Sequence, residues 1–498
     1  MTLPEDFISY TRQLMGEERF NQFLKGMSEE PPTSIRLNPF KFFSDSEVGK
    51  NKEEDFSLSI ETKPVPWCSA TGRYLSARHN FTFDPLFHAG KYYVQEASSM
   101  FVNLAIEQLV KEPVVMLDLC AAPGGKSTAV RAALPKGSLL FSNEPMRPRC
   151  QILAENIQKF GHPEMIVTNN YPKDYKKSKL QFDVILTDVP CSGEGMFRKD
   201  EGAIAEWSVK NVENCWQLQR DIVSDIWNCL KPGGILIYST CTFNAKEDEQ
   251  NVEWIAQELG ADFIPLNISD DWHITGNLLH DSSTAHGDTT ENMPPVYRFI
   301  PGITQGEGLF MAVLRKHGDW EPVLQNLQKK EKNSKKDFKK KDKKAIKGKG
   351  MDIPAGWLND DQEYTACQTT DCLYAIPTQW KELYDKASQT LKIVHAGIKL
   401  GTFKGKDLIP SQGLALSTAL HHSQFPQVEV TYEDAIRYLR KEAITLPADT
   451  PKGYVLITFH DTPIGWMKNI GNRANNLYPQ EWKIKSTHIP EGNNLLLK

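Results

Sequence analysis

The chain has 498 residues, 40% of them apolar and 24% charged, with a formal net charge of −5. That length accommodates two or three domains with a sizeable core, and no apolar run reaches membrane-spanning length. The opening MTLPEDF, acidic and broken by proline, argues against a secretory signal, and nine scattered cysteines without CxxC pairs or His-rich spacing suggest neither a disulfide scaffold nor a metal site. The expectation is a cytoplasmic protein in a reducing setting, where a cysteine is free to act as a nucleophile.

Residues 3–24 read as one helix, with Phe7, Tyr10, Leu14, Phe20 and Phe23 on its apolar face. Pro31-Pro32 then leads into TSIRLNP, where Ile35 and Leu37 alternate with Arg36 and Asn38 as in a short strand. Residues 83–100 form an aromatic loop with Gly90 and Gln95-Glu96. A helix capped near Ser98 or Ser99 runs from it to about residue 110.

The central stretch is VVMLDLCAAPGGKS, residues 114–127. Its apolar start suits a buried strand of a parallel sheet, Ala121 to Gly125 is small and turn-prone, and Lys126, Ser127 and Thr128 open a helix. Strand, glycine turn and helix start place backbone N–H groups and a positive helix end where a ligand can approach. The next strand, 138–142, ends at Asn143-Glu144, and a carboxylate there can accept both hydroxyls of a ribose. A nucleoside-bearing cofactor is the expectation, and the spacing is not the GxGxxG of a dinucleotide site.

A helix over 148–160 stops at Gly161 and Pro163, and a strand over 165–168 ends in Asn169-Asn170. Residues 182–190, FDVILTDVP, are a strand closed by Asp188, a proline and Cys191. The pattern predicts a helix over 206–230 ending at Lys231-Pro-Gly-Gly, then a buried strand over 235–240 that delivers Cys241. A helix over 245–259 would carry Glu247, Asp248 and Glu249 in its first turns, as the helix dipole prefers. Strands over 296–300 and 309–314 suit a closing hairpin with an antiparallel edge. Alternating strands and helices imply an α/β fold with a doubly wound parallel sheet.

Residues 329–349 hold twelve lysines against Glu331, Asp337 and Asp342, a local charge of +9 that leaves −14 for the rest. With almost no apolar residues this run reads as a linker, either a solvated spacer or a phosphate contact. Beyond it, residues 353–498 show short apolar bursts at 391–394, 414–416 and 454–459 and one helix near 432–441. They read as a small, mostly β binding domain.

Any single cysteine is more often a small core residue than a reactive one. Cys191 and Cys241 both follow buried strands that end on the edge carrying the glycine turn, and Asp188 stands three residues before Cys191. Cysteine, carboxylate and nucleoside cofactor together fit the alkylation of a pyrimidine carbon. A thiolate adding to carbon 6 makes carbon 5 nucleophilic towards a sulfonium methyl, and a base then removes the carbon 5 proton.

LDLCAAPGGKS, SNEP, DVPCSGEGMFRK, LKPGG and YSTCTF resemble the motifs of RNA cytosine-5 methyltransferases of the RsmB/RsmF/NSUN family. HAGIKLGTFKGKDLIPS and GWMKNIGNRANNLYP resemble the PUA-like tail of RsmF-type members. The resemblance implies a class I S-adenosylmethionine methyltransferase fold with a seven-stranded sheet, the last strand antiparallel, an N-terminal α+β RNA-binding region and a C-terminal mostly β PUA-like domain. The corresponding segments are 1–110, a core over 111–318, a lysine-rich linker over 319–352, and 353–498. Carried over, it makes Cys241 the nucleophile and Cys191 the aid to proton removal and product release. Asp188 would contact the cytosine and Lys126 reach towards it. For S-adenosylmethionine it implies Cys120, Ala121, Ala122, Pro123, Gly124, Gly125, Lys126, Glu144 and Asp188, with Asn170, or else Asn169 or the loop backbone, at the adenine and no metal. Arg36, Arg198, Lys199 and the linker lysines are candidate phosphate contacts. The implied enzyme is a cytoplasmic monomer acting on RNA away from membranes, small-subunit rRNA first and tRNA as the alternative. Three other readings stay open. A DNA cytosine methyltransferase would attack from Cys191, an assembly factor would bind RNA without catalysis, and a nicotinamide enzyme would need a different glycine spacing.

Overall fold

The computed structural model describes residues 2–42, 58–279, 293–321, 351–486, 488–490 and 492–497. The lysine run of 329–349 lies outside the described residues. Where one N-terminal helix was expected there are two, Glu5–Met15 and Glu17–Ser28, because Gly16 at φ 74° ends the first and starts the second. A four-stranded antiparallel sheet follows, from β1 (Ser34–Leu37), β2 (Thr62–Pro64), β3 (Gly72–Leu75) and β4 (Tyr92–Val94) in the order β2-β3-β1-β4. Arg36 on β1 does not face solvent. It is 1% exposed, with Nε donating to Gln95 Oε1 at 2.8 Å and a terminal nitrogen to Thr128 Oγ1 at 2.5 Å. The strand's position between β3 and β4 turns the expected phosphate contact into an internal brace.

The core sheet joins β5 (Val115–Asp118), β6 (Leu139–Asn143), β7 (Met165–Thr168), β8 (Phe182–Asp188) and β9 (Leu230–Thr240), all parallel. β10 (Ala261–Phe263), β11 (Val296–Phe299) and β12 (Leu309–Lys316) complete it, giving the path β10-β12-β9-β8-β5-β6-β7. Its inner strands are buried on both faces, which is why they read as unbroken apolar runs. The chain leaves β5 for β6 on one side and crosses back from β7 to β8 on the other, and this reversal opens a crevice at the carboxyl ends of β5 and β8. β12 is antiparallel as expected, yet it is not an edge, because β10 and β11 share its outer side.

The expected helix over 206–230 is two, Glu201–Glu206 and Val209–Ile226, and Lys231-Pro-Gly-Gly lies inside β9 instead of closing a helix. The helix expected from 245 begins only at Glu249 and runs to Leu259.

The C-terminal part contains β13 (Tyr364–Gln368), β14 (Cys372–Pro377), β15 (Ile393–Ala396), β16 (Ile398–Lys404) and β17 (Asp407–Pro410), then β18 (Gln427–Glu429), β19 (Gly453–Phe459), β20 (Thr462–Asn469) and β21 (Ala474–Asn476). They form two four-stranded sheets, β13-β14-β16-β17 and β18-β19-β20-β21, and β15 leaves both to pair antiparallel with β7. The burst at 391–394 thus extends the core sheet. Trp380 and the helix Lys381–Ser388 pack into the core cluster with Ile166 and Phe182, while Tyr432, Ile436 and Tyr438 share a core with Ile35, Leu37 and Phe83. Among the described residues no helix is long and apolar enough to cross a membrane.

Candidate active site

β5 ends at Asp118, and the chain turns through Cys120 to Gly124 into the helix Gly125–Ala133. Gly124 adopts φ 112°, a conformation side chains disfavour, and this lets the helix start directly over the strand tip. The loop is pinned from outside: Ala121 N–H donates to Asn143 O at 2.8 Å, Arg149 to Ala122 O at 3.0 Å and Asn156 to Pro123 O at 2.8 Å. Asn143 brackets three strand tips, donating to Leu119 O and Asn170 O and accepting from Thr168 and the Asn170 N–H. Sequence reading gave it no such role, since its partners, Leu119 on one side and Thr168 and Asn170 on the other, come from two separate segments.

Burial raises the Asp118 carboxyl to about 7 even though Ser127 donates to it at 2.6 Å. Its Oδ1 is buried without a hydrogen-bond partner. Burial, then Asp118, Asp188 and Glu144, push the Cys120 thiol far above its ordinary value, so it stays neutral. Glu144, at the tip of β6, accepts from Met146 N–H at 2.9 Å and lies 3.4 Å from Arg149. Three carboxylates around a glycine turn, one with an orphaned oxygen, are the surroundings a cationic sulfonium with an amino-acid tail requires. The residues fit S-adenosylmethionine.

Cys191 and Cys241, fifty residues apart, come together with their sulfurs at 3.1 Å. Lys126 Nζ lies 2.9 Å from Asp188 Oδ2, and Ser239 Oγ donates to Asp188 Oδ1 at 2.7 Å. Burial works against the Lys126 charge, but Asp188, with a contribution from Cys241, holds its pKa above the usual lysine value. The hydrogen bond to Cys241 and burial keep the Cys191 thiol protonated well above the ordinary range. Nucleophile candidate, neutral thiol, carboxylate and ammonium therefore share one edge of the sheet with the glycine turn.

The two cysteine loops are locked by Glu194, to which sequence reading gave no role, and by Glu247, which it assigned to a helix start. Glu194, fully buried, accepts from Phe243 N–H at 2.7 Å and from Asn244 N–H and Trp207 at 3.0 Å. Glu247 accepts from Ser192 N–H at 3.0 Å and from Gln219 and Asn244 at 2.7 Å; burial and Glu194 raise it to about 7. Gly195 N–H donates to Cys241 O at 2.6 Å, an approach that leaves no room for a Cβ. Asp248 and Glu249 are buried against Arg298, which also donates to Phe243 O at 3.1 Å. Glu247, Asp248 and Glu249 thus form an internal clamp, and only Glu249 lies in the first turn of its helix. The one available signal was three consecutive acids beside a reactive loop, and Arg298, the partner of Asp248 and Glu249, is some fifty residues away.

Asn170 does not present a free carboxamide: its Oδ1 accepts from Lys392 N–H at 3.1 Å and its Nδ2 donates to Lys392 O at 3.3 Å. Arg198 is buried against Glu307, Gly26 O and Gly306 O, and Lys199 pairs with Glu307 at 3.2 Å. These two brace the Cys191 loop instead of reaching for phosphate, because Glu307 lies beneath them.

Residues 107–315 match the family model described as 16S rRNA methyltransferase RsmB/F. Residues 3–97 match the N-terminal domain of 16S rRNA methyltransferase RsmF, and 425–484 the methyltransferase RsmF PUA domain. Ribosomal RNA small subunit methyltransferase F of Shigella boydii serotype 4 is 30% identical over 491 residues, 96% of each chain. The chain belongs to this family. The corresponding protein of Klebsiella pneumoniae is 27% identical over 487 residues, again 96% of each chain. Among solved structures, a methyltransferase homolog protein from Pyrococcus horikoshii is similar with TM-score 0.51 and 25% identity, over 63% of this chain and 95% of that one. NSun6 from Pyrococcus horikoshii with SFG gives TM-score 0.50 at 20% identity, over 64% and 99%. As a member of the RsmB/RsmF family, the protein is an RNA cytosine-5 methyltransferase of class I fold with S-adenosylmethionine as its cofactor and rRNA as its substrate class.

Proposed function

We propose that this protein methylates carbon 5 of cytosine in small-subunit rRNA through a transient bond between Cys241 and carbon 6. The observation that carries the reading is the 3.1 Å contact of the Cys191 and Cys241 sulfurs beside the Lys126–Asp188 pair. S-adenosylmethionine supplies the methyl group as a sulfonium. Residues Cys120 to Lys126 hold its amino-acid part and Glu144 its ribose.

Cys241, as thiolate, forms the C–S bond and sends an electron pair towards carbon 5. Asp188 hydrogen-bonds the cytosine, and the Lys126 ammonium offsets the negative charge that addition pushes into the ring. Carbon 5 then takes the methyl group. A base in the pocket takes the carbon 5 proton, the electrons of that C–H bond restore the 5,6 double bond, and the C–S bond breaks to release the Cys241 thiolate, to which the neutral Cys191 thiol beside it donates a hydrogen bond. The cytosine enters unstacked, since attack on carbon 6 needs the face of the ring. In this reading the 111–318 core does the chemistry, residues 1–110 and 353–498 grip the RNA, and the enzyme works as a cytoplasmic monomer. Support for the small subunit comes from the curated relatives, which carry that substrate in their names.

Exchange of each cysteine tests the scheme. Cys191→Ser is expected to leave protein covalently attached to RNA on a denaturing gel, while Cys241→Ser yields neither adduct nor product. The reverse pattern overturns the assignment. Bisulfite sequencing of rRNA and tRNA from cells lacking the gene tests the substrate, with loss expected in 16S rRNA alone.

A further inference from the structure

β15 runs antiparallel to β7, so Lys392, the residue before it, sits at the carboxyl edge of the core sheet next to Asn169 and Asn170. Four hydrogen bonds join them beyond the end of the strand ladder. Asn169 N–H donates to Lys392 O at 2.9 Å, Lys392 N–H to Asn170 Oδ1 at 3.1 Å, Asn170 Nδ2 to Lys392 O at 3.3 Å and Lys392 Nζ to Asn169 Oδ1 at 3.0 Å. The chain of contacts continues inward, because Asn169 Nδ2 donates to Glu144 O at 2.8 Å and Pro145 O at 2.9 Å.

Apolar contacts and the β7–β15 ladder already dock this part of the chain, and the four bonds lie beyond them. The additional bonds engage side-chain amides of a loop that would otherwise lose rotamer freedom whenever a ligand ordered it. Fixing those amides in advance lowers that cost. We propose that Lys392 is a positioning residue of the cofactor site, through which the C-terminal region holds Asn169, Asn170 and the Glu144 turn in the geometry that accepts the adenosine of S-adenosylmethionine. The inference rests on Glu144 marking the nucleoside end of the pocket.

The test is calorimetric titration of the full chain with S-adenosylhomocysteine, together with steady-state kinetics and melting temperatures. Lys392→Pro, which removes the N–H to Asn170, is expected to weaken binding about fivefold, and Asn169→Ala by a similar factor. KM for S-adenosylmethionine should rise accordingly while kcat at saturating cofactor and KM for RNA hold, a split that general loosening of the fold would not give. Glu144→Ala, as reference, should weaken binding more than tenfold. If Glu144→Ala loses affinity while both Asn169→Ala and Lys392→Pro bind as the wild type does, the role of Lys392 is overturned and the site assignment stands. If Glu144→Ala also binds normally, the nucleoside end lies elsewhere and both fall. Should Lys392→Pro melt early, Asn169→Ala decides alone.

Discussion

Around the two cysteines the buried contacts are mainly polar, whereas along the flank of β7 and β8 the C-terminal part is held mainly by apolar packing and one short strand, with hydrogen bonds from Lys392, Gln379 and Trp380 at its margins. In the first region Glu194, Glu247, Asp248 and Glu249 accept from backbone N–H groups and side chains of neighbouring loops. In the second, Trp380, Leu383, Ala387 and Leu391 fill the core cluster beside Ile166 and Phe182. Directional bonds set sulfur positions to fractions of an ångström but tolerate no lost partner. Apolar packing supplies adhesion and tolerates small shifts. The difference teaches where activity and stability should part company.

Replacing Trp380, 0% exposed, by alanine should remove about 3–5 kcal/mol of stability while kcat at low temperature is kept. Urea unfolding and initial rates read the two effects separately. A fall in kcat with unchanged stability would blur the contrast. At the polar region, Asp188→Asn deprives Lys126 of its charge partner and should lower kcat about 100-fold with the melting temperature nearly unchanged.

Asp118 sharpens the comparison through pH. Its folded pKa, raised by burial to about 7, exceeds the unfolded value, so the folded form binds the extra proton. Its contribution to stability is full below about pH 4 and is lost as pH rises towards and through 7. Asp118→Asn should flatten the stability profile over that window, by up to roughly 4 kcal/mol in urea midpoints converted to free energy. An unchanged slope would mean that Asp118 titrates normally. The smallest effect is expected of Tyr10→Phe. It removes the hydroxyl that accepts from Ala245 N–H at 2.9 Å behind the Cys241 loop, and should cost about 1 kcal/mol of stability.

Much of the catalytic edge was legible because it is local. A buried strand ends, a small or reactive residue follows, and Gly124, Cys191 and Cys241 each sit within a few residues of their strand tips. The helix boundaries at Gly16 and Glu249 were less legible. Gly16 breaks an apolar face that stays continuous on either side, and Glu247 and Asp248 carry the composition of a helix start while being spent on loops. Arg36 and Arg198 looked available for phosphate because charge in a sequence carries no burial label.

By itself the sequence determined the alternating order of strands and helices, the glycine turn and which cysteines end buried strands, since these follow from short-range periodicity and backbone sterics. Only the tertiary structure decided that the two sulfurs touch, that Arg298 neutralises acids some fifty residues away, and that β15 from the C-terminal part becomes a strand of the core sheet. Those outcomes depend on pairings between distant segments, whose free energy comes from burial shared by both partners and is written in neither one alone.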